Sequence, residues 1–219
     1  MQGEYLFALT DESGIVRVVK IRKVWTMTTR CTWAQSAPKN MQDYHDQEWG
    51  RPQHDNQALF ELLCLETFQA GLSWQTVLNK RPAFRRAFQG FAIAKVAAMT
   101  AADLERLLQD PAIIRNRLKL SAAIHNAQVL MDWPAGSDFS TWLWAFVGNQ
   151  PIRHRWTASD QVPATTDLAQ HISREMKRRG FKFVGPTIVY SLLQAAGLVN
   201  DHLVTCDWAP ENQHEEGSK

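Results

Sequence analysis

A chain of 219 residues, 45% hydrophobic and 21% charged, is long enough to bury one sizeable core, and the usual domain size argues for a single main domain. No apolar run approaches the ~18–20 residues needed to cross a bilayer, and Glu4, Asp11 and Glu12 interrupt any signal-peptide core. Neither a membrane nor a secreted protein is therefore expected, and the cytoplasm is the default compartment. The net charge of +2 excludes little, because basic residues can gather on one face of a nearly neutral chain.

In chain order, Tyr5 to Leu9 and Ile15 to Ile21 predict two short strands around a Thr10–Gly14 turn. They fall in an extension over residues 1–29 that is either a hairpin or loose, since an isolated hairpin is marginal in water. The main domain is expected over residues 30–210, followed by a polar tail, 211–219. Leu59, Leu62, Leu63 and Leu65 to Phe68 predict a buried helix closed by Gly71. Ser73 caps a second helix through Phe88. Thr100 with Asp103 forms a capping-box start for a helix to Gln109 that Pro111 breaks. A long amphipathic helix is expected from Ile113 to about Met131, and Asp138 or Ser140 opens another through Phe146. Thr166 caps a helix to Arg179 with Gly180 beyond it, and Gly185-Pro186 starts a last one ending near Gly197. No strand is expected from Asp55 onwards. The fold class is all-α.

Basic runs recur at Lys80 to Arg86, Arg115 to Lys119, Arg153 to Arg155 and Lys177 to Lys182. Each reads as a solvated helix face or as part of a phosphate-binding surface. The three cysteines show no disulfide framework. Cys31-x13-His45 stands near the start of the main domain and His202-x3-Cys206 near its end. Two thiols and two imidazoles suit a closed tetrahedral zinc site joining the N- and C-terminal segments, and His202 and Cys206, at i and i+4, fit one helical face. On spacing alone, ordinary core cysteines and histidines are the commoner reading. Cys64, amid leucines, reads as a buried apolar residue.

Six blocks together carry a likeness. They run from Arg30 to Trp33 (RCTW), Tyr44 to Gly50 (YHDQEWG), Leu59 to Glu66 (LFELLCLE), Gln69 to Trp74 (QAGLSW), Arg179 to Gly185 (RGFKFVG) and Gln194 to His202 (QAAGLVNDH). In this order they resemble the 3-methyladenine DNA glycosylase I family. The resemblance implies an all-helical fold of the helix-hairpin-helix glycosylase superfamily and a bound zinc, with Cys31, His45, His202 and Cys206 in the ligand positions. By the same resemblance, Glu66 takes the place of the base-recognising carboxylate. Tyr44 and Trp74 match aromatics of the base pocket, and Trp33 and Trp49 line it further. Two departures stand out: the Cys31–His45 interval is one residue longer than the family pattern, and Met41 stands where a second pocket tyrosine is expected.

These residue types suit the removal of an alkylated base from double-stranded DNA, with the chain acting as a monomer and leaving an abasic site. Extruding a nucleotide costs a few kcal/mol, and stacking on Tyr44 and Trp74 offsets part of that. N3 methylation makes the base cationic and its leaving form neutral, so Glu66 serves recognition and electrostatic stabilisation rather than proton transfer. Without the likeness, a helix-surface carboxylate or a buried ion pair is the ordinary reading of Glu66, and core packing that of the tryptophans. Gly71 and Leu72 form a candidate wedge for the vacated gap. Asp110 to Lys119 is the candidate DNA-gripping hairpin, with Arg115, Arg117 and Lys119 facing phosphates. No lysine has a nucleophile's setting, so a monofunctional enzyme is expected. The competing readings are a non-enzymatic, zinc-stabilised helical DNA-binding module and a zinc hydrolase; the latter needs an open coordination position, which two thiols and two imidazoles close.

Overall fold

The computed structural model describes residues 3–10, 16–23 and 28–212. β1 (Gly3–Thr10) and β2 (Val16–Lys23) pair antiparallel, with Tyr5 opposite Ile21 and Phe7 opposite Val19. Most of the expected turn between them, and the tail beyond Asn212, lie outside the described residues.

The main domain is built of helices. α1 (Thr32–Gln35) and α2 (Lys39–Gln47) lead into α3 (Asn56–Gln69). The Asp55 side chain caps α3 by accepting from the Ala58 N–H, and every residue from Leu59 to Phe68 is buried. A helix buried all round, with only Glu61, Glu66 and Thr67 polar in that stretch, belongs inside the core rather than on its surface. Gly71, at φ +78°, turns the chain through the left-handed region that glycine adopts without penalty, and Ser73 then caps α4 (Trp74–Ala87) through the Thr76 N–H.

α5 (Ile93–Ala97) is followed by α6 (Ala101–Gln109), which opens with the complete Thr100–Asp103 capping box. α7 (Arg117–Met131), α8 (Phe139–Ala145), α9 (Asp167–Arg178) and α10 (Pro186–Ala195) complete the set. α10 packs on α3 and α9, and α7 packs on α3, α5 and α6, so α3 lies at the centre. Phe68 and Phe84 stack at 4.3 Å between α3 and α4. No helix among the described residues is long and apolar enough to cross a membrane.

Three expectations need correction. α7 starts at Arg117 rather than Ile113, because the Asn116 side chain accepts from the Lys119 N–H and ends the preceding loop there. Ile113 is buried from that loop. The chain beyond Asp55 does contain strands, a parallel pair of β3 (Ile152–Arg153) and β4 (Val199–Asn200), too short to show any two-residue period. Finally, α1, α2 and α5 add three helices to those expected.

The chain after α2 is pressed against the end of α10. Gly50 N–H donates to Gln194 O and Gln53 N–H to Ala196 O. At Gly197, φ +70°, a Cβ would lie 2.2 Å from the Arg51 carbonyl carbon. Only a glycine allows that approach, and it fixes where α2 and Trp49 stand relative to α10.

Candidate active site and metal cluster

The two ends of the main domain meet in a buried cluster. The ligand atoms of Cys31, His45, His202 and Cys206 all lie within 4.8 Å of one another. Cys31 Sγ is 3.5 Å from His202 Nδ1, and Cys206 Sγ is 3.5 Å from His45 Nε2 and 3.4 Å from His202 Nδ1. Hydrogen bonding from Cys31 first, then from His202 and His45, holds the Cys206 thiol well below the usual thiol range. His45 comes from α2, while Cys31 precedes α1. His202 and Cys206 sit in an irregular turn closed by Cys206 N–H to Leu203 O, not on a helical face as their spacing suggested. His45 Nδ1 lies 2.8 Å from Asp46 Oδ1, and Arg30 binds both Asp46 oxygens. Against the opposing effect of burial, those bonds keep the Asp46 carboxyl below its ordinary range. A carboxylate so placed orients the imidazole of a metal-binding histidine.

Beside the cluster lies a cavity of about 420 Å³. Trp33, Tyr44, Trp49 and Trp74 give it aromatic walls, and Met41, Glu66 and Gln69 also line it. Tyr44 and Trp74 stand 5.0 Å apart at 52°, and Trp33 meets Trp49 edge-on at 5.3 Å. Glu66 is 5% exposed, and among the described residues its carboxylate has no hydrogen-bond or ion-pair partner. Burial alone pushes its carboxyl up to about 8. Burial, and next the Glu66 charge, raise the Tyr44 phenol well above its ordinary range. The Trp74 indole N–H is buried without an acceptor. A buried carboxylate and a buried donor, both unpartnered, destabilise an empty site. A flat ligand with polar edges and positive charge relieves both.

The structure thus brings Glu66, Tyr44, Trp74, Trp33 and Trp49 to one cavity, and Cys31 belongs both to its lining and to the cysteine–histidine cluster that could hold a metal. Gly71 and Leu72 lie between the lining residues Gln69 and Trp74, with Leu72 44% exposed. Cys64 is buried in the apolar core. The basic segment before and into α7 behaves differently from expectation. Lys119 turns inward to the carbonyls of Phe68 and Ala70, and Arg117 pairs with Glu105. Neither side chain is a free phosphate contact.

A second helix-turn-helix, α9 to α10, has a glycine-flanked turn. Gly180 and Gly185 flank it, and Gly180 and Phe183 have φ +97° and +54°. The Asn126 side chain clamps the Lys182 backbone through both its N–H and its carbonyl. α10 begins at Gly185-Pro186 with no side-chain cap, leaving backbone amides free at its positive end. The paired glycines were the available sequence signal. Sequence reasoning also passed over Asp201, which lines the cavity, is fully buried, and accepts from His154, Trp156, Tyr190 and Gln194. It locks the turn carrying His202 to α10 and to the segment after β3.

The chain is similar to known proteins over nearly all of its main domain. DNA-3-methyladenine glycosylase 1 of Escherichia coli strain K12 is 47% identical over 185 residues, covering 84% of this chain and 98% of that protein. The crystal structure of 3-methyladenine DNA glycosylase I superposes with a TM-score of 0.80 at 45% identity, covering 83% of this chain and all of that one. A variant of a 3-methyladenine DNA glycosylase I, solved in complex with 3-methyladenine, gives 0.79 at 40% identity over 83% of this chain and 97% of its own. The family described as methyladenine glycosylase matches residues 33–209, a span that takes in Trp33, Tyr44, Glu66 and Trp74. On this match and on the likeness over nearly the whole main domain, the chain belongs to the methyladenine glycosylase family.

Proposed function

We propose that this chain is a DNA repair N-glycosylase that takes 3-methyladenine from alkylated double-stranded DNA and leaves an abasic site. The observation that carries this reading is the unpartnered Glu66 carboxylate in an aromatic-walled cavity. An everted 3-methyladenine stacks on Tyr44 and Trp74, with Trp33 and Trp49 enclosing it. Its exocyclic amine donates to Glu66, and its positive charge stabilises the ionised carboxylate that burial disfavours. A guanine-type lesion turns an oxygen toward the same carboxylate and is rejected, since pairing lost inside a polar pocket discriminates strongly.

In the reaction the C1′–N9 bond breaks with its electron pair going to the base, which leaves neutral and needs no proton. Water forms the new C1′–O bond and releases a proton to solvent. The Glu66 charge stabilises the positive sugar formed between these events.

Cys31, His45, His202 and Cys206 are assigned to zinc. Their sulfur–nitrogen separations of 3.4–3.5 Å are close to the edge of a tetrahedral zinc site, about 3.6 Å from its usual bond lengths. Bound zinc supplies a cross-link between two chain segments and, with four protein ligands, no position for substrate. The turn from Arg179 to Gly185 is assigned to the DNA backbone, with Leu72 and Gly71 as the wedge and the chain acting as a monomer. The test is chromatography of bases released from methylated DNA: free 3-methyladenine is expected, and its loss in the Glu66→Gln, Trp74→Ala double variant. Full activity of that variant would overturn the pocket assignment.

A further inference from the structure

α7 reaches across to the turn that separates Glu66 from Trp74. Lys119 is 6% exposed, and its ammonium donates to Phe68 O at 2.9 Å and Ala70 O at 2.5 Å. These carbonyls belong to the end of α3, where no helical amide is available to take them and where the helix dipole favours a cation. Ala70 is followed by Gly71 in the left-handed region and by the exposed Leu72.

A second lysine makes the reciprocal tie. Lys80 of α4 donates to Pro111 O at 3.3 Å and Ala112 O at 2.9 Å, in the loop that enters α7. The loop before α7 is thus held by α4, and the turn before α4 is held by α7. A buried ammonium is costly without partners, so the two carbonyls and the cation depend on one another. Moving the Gly71–Leu72 turn relative to α7 means breaking charge-assisted bonds, the stronger class.

We propose that Lys119 is a positioning residue for base capture: by holding Phe68 O and Ala70 O it sets the Gly71–Leu72 turn so that Leu72 enters the duplex where the damaged nucleotide leaves it. This rests on the reading of the chain as a base-flipping glycosylase. A simple helix cap would support the fold but would not distinguish a paired lesion from an unpaired one. A wedge support does, because extrusion is cheaper where no partner base has to be released.

The experiment uses the full chain and a duplex oligonucleotide whose one adenine has been methylated, set opposite thymine or opposite an abasic site. Lys119→Met is expected to slow single-turnover release opposite thymine at least tenfold and opposite the abasic site less than threefold. Affinity for free 3-methyladenine, read by tryptophan fluorescence, is expected within twofold of wild type. In the Lys119→Met, Leu72→Ala double variant the two losses do not add, as for residues that act through one another. Equal losses on both duplexes, additive losses, or no loss would overturn the proposal. If Lys119→Met does not fold, Lys119→Arg carries the test: a threefold fall in the ratio of the two rates supports it and an unchanged ratio overturns it. A wild-type chain that releases no base from either duplex overturns the glycosylase reading and this proposal with it, whereas an active wild type with unchanged ratios in the variants overturns the proposal alone.

Discussion

Trp49 lies edge-on against His202, ring centroids 4.7 Å apart at 75°, and its other neighbours are His45 at 6.2 Å and Trp33 at 5.3 Å. One indole therefore walls the cavity and rests on two imidazoles of the cysteine–histidine cluster. Any change in how those histidines are held is felt at the aromatic wall, because close-packed groups transmit small displacements.

Removing a ligand from the cluster should unfold the protein at lower temperature. A metal at about a thousand times its Kd stabilises by about 4 kcal/mol, and each kcal/mol moves Tm by about 2–4 °C in a chain of this size. Cys206→Ser, or a strong chelator, is expected to lower Tm on the order of 10 °C. The protein still folded at 20 °C should lose less activity than stability. Calorimetry with and without metal checks this, and an unchanged Tm would count against a structural clasp.

Glu66 links stability and activity in opposite senses. Its carboxyl is raised from 4.5 to about 8 by burial, so its contribution to stability is fully present below pH 4.5 and is lost as pH rises through 8. Glu66→Gln should match wild type near pH 4 and be more stable above pH 8, by on the order of a few kcal/mol. In its proposed role Glu66 acts ionised, so wild-type kcat/KM should climb with pH to a plateau above 8, while the weak residual activity of Glu66→Gln stays flat. Denaturation midpoints and a pH–rate profile measure the two halves.

Trp74→Ala removes one stacking face from the cavity. Base–aromatic stacking is worth about 1–3 kcal/mol, which corresponds to a loss of about 5- to 150-fold in affinity for free 3-methyladenine. Calorimetric titration of the base reads this directly. An affinity within twofold of wild type would remove Trp74 from the pocket.

The two helix-turn-helix segments give different salt dependences. If the α9–α10 turn grips DNA, Lys182→Ala lowers the slope of log K against log salt by about one phosphate contact. Arg117→Ala, already paired with Glu105, should leave that slope unchanged. Fluorescence anisotropy across a salt series tells them apart, and the reverse pattern would return the grip to α7.

Much of this architecture is legible because local chemistry and final structure agree. Asp138, Thr166, Ser73 and Thr100 cap the helices they precede, since a side-chain oxygen beside free amides acts wherever the helix packs. The cavity residues were identified by resemblance, and their convergence from α2, α3 and α4 has no local signature. Lys119 was misjudged because a cation in a basic run looks like its neighbours until the carbonyls of Phe68 and Ala70 are placed beside it. β3 and β4 escaped notice because two residues cannot display a period, and Asp201 because two of its four donors, His154 and Trp156, lie in a segment distant in the chain.

Cys31 and His45 stand near one end of the main domain and His202 and Cys206 near the other, which imposes an order on assembly. Bringing them together from an open chain means closing a very long loop, whose entropy opposes capture of the ion. Once the helices between them have packed, that closure is already made. A metal held by these four residues would therefore enter after that packing, and a chain deprived of it would keep its helices while losing the tie between its two ends.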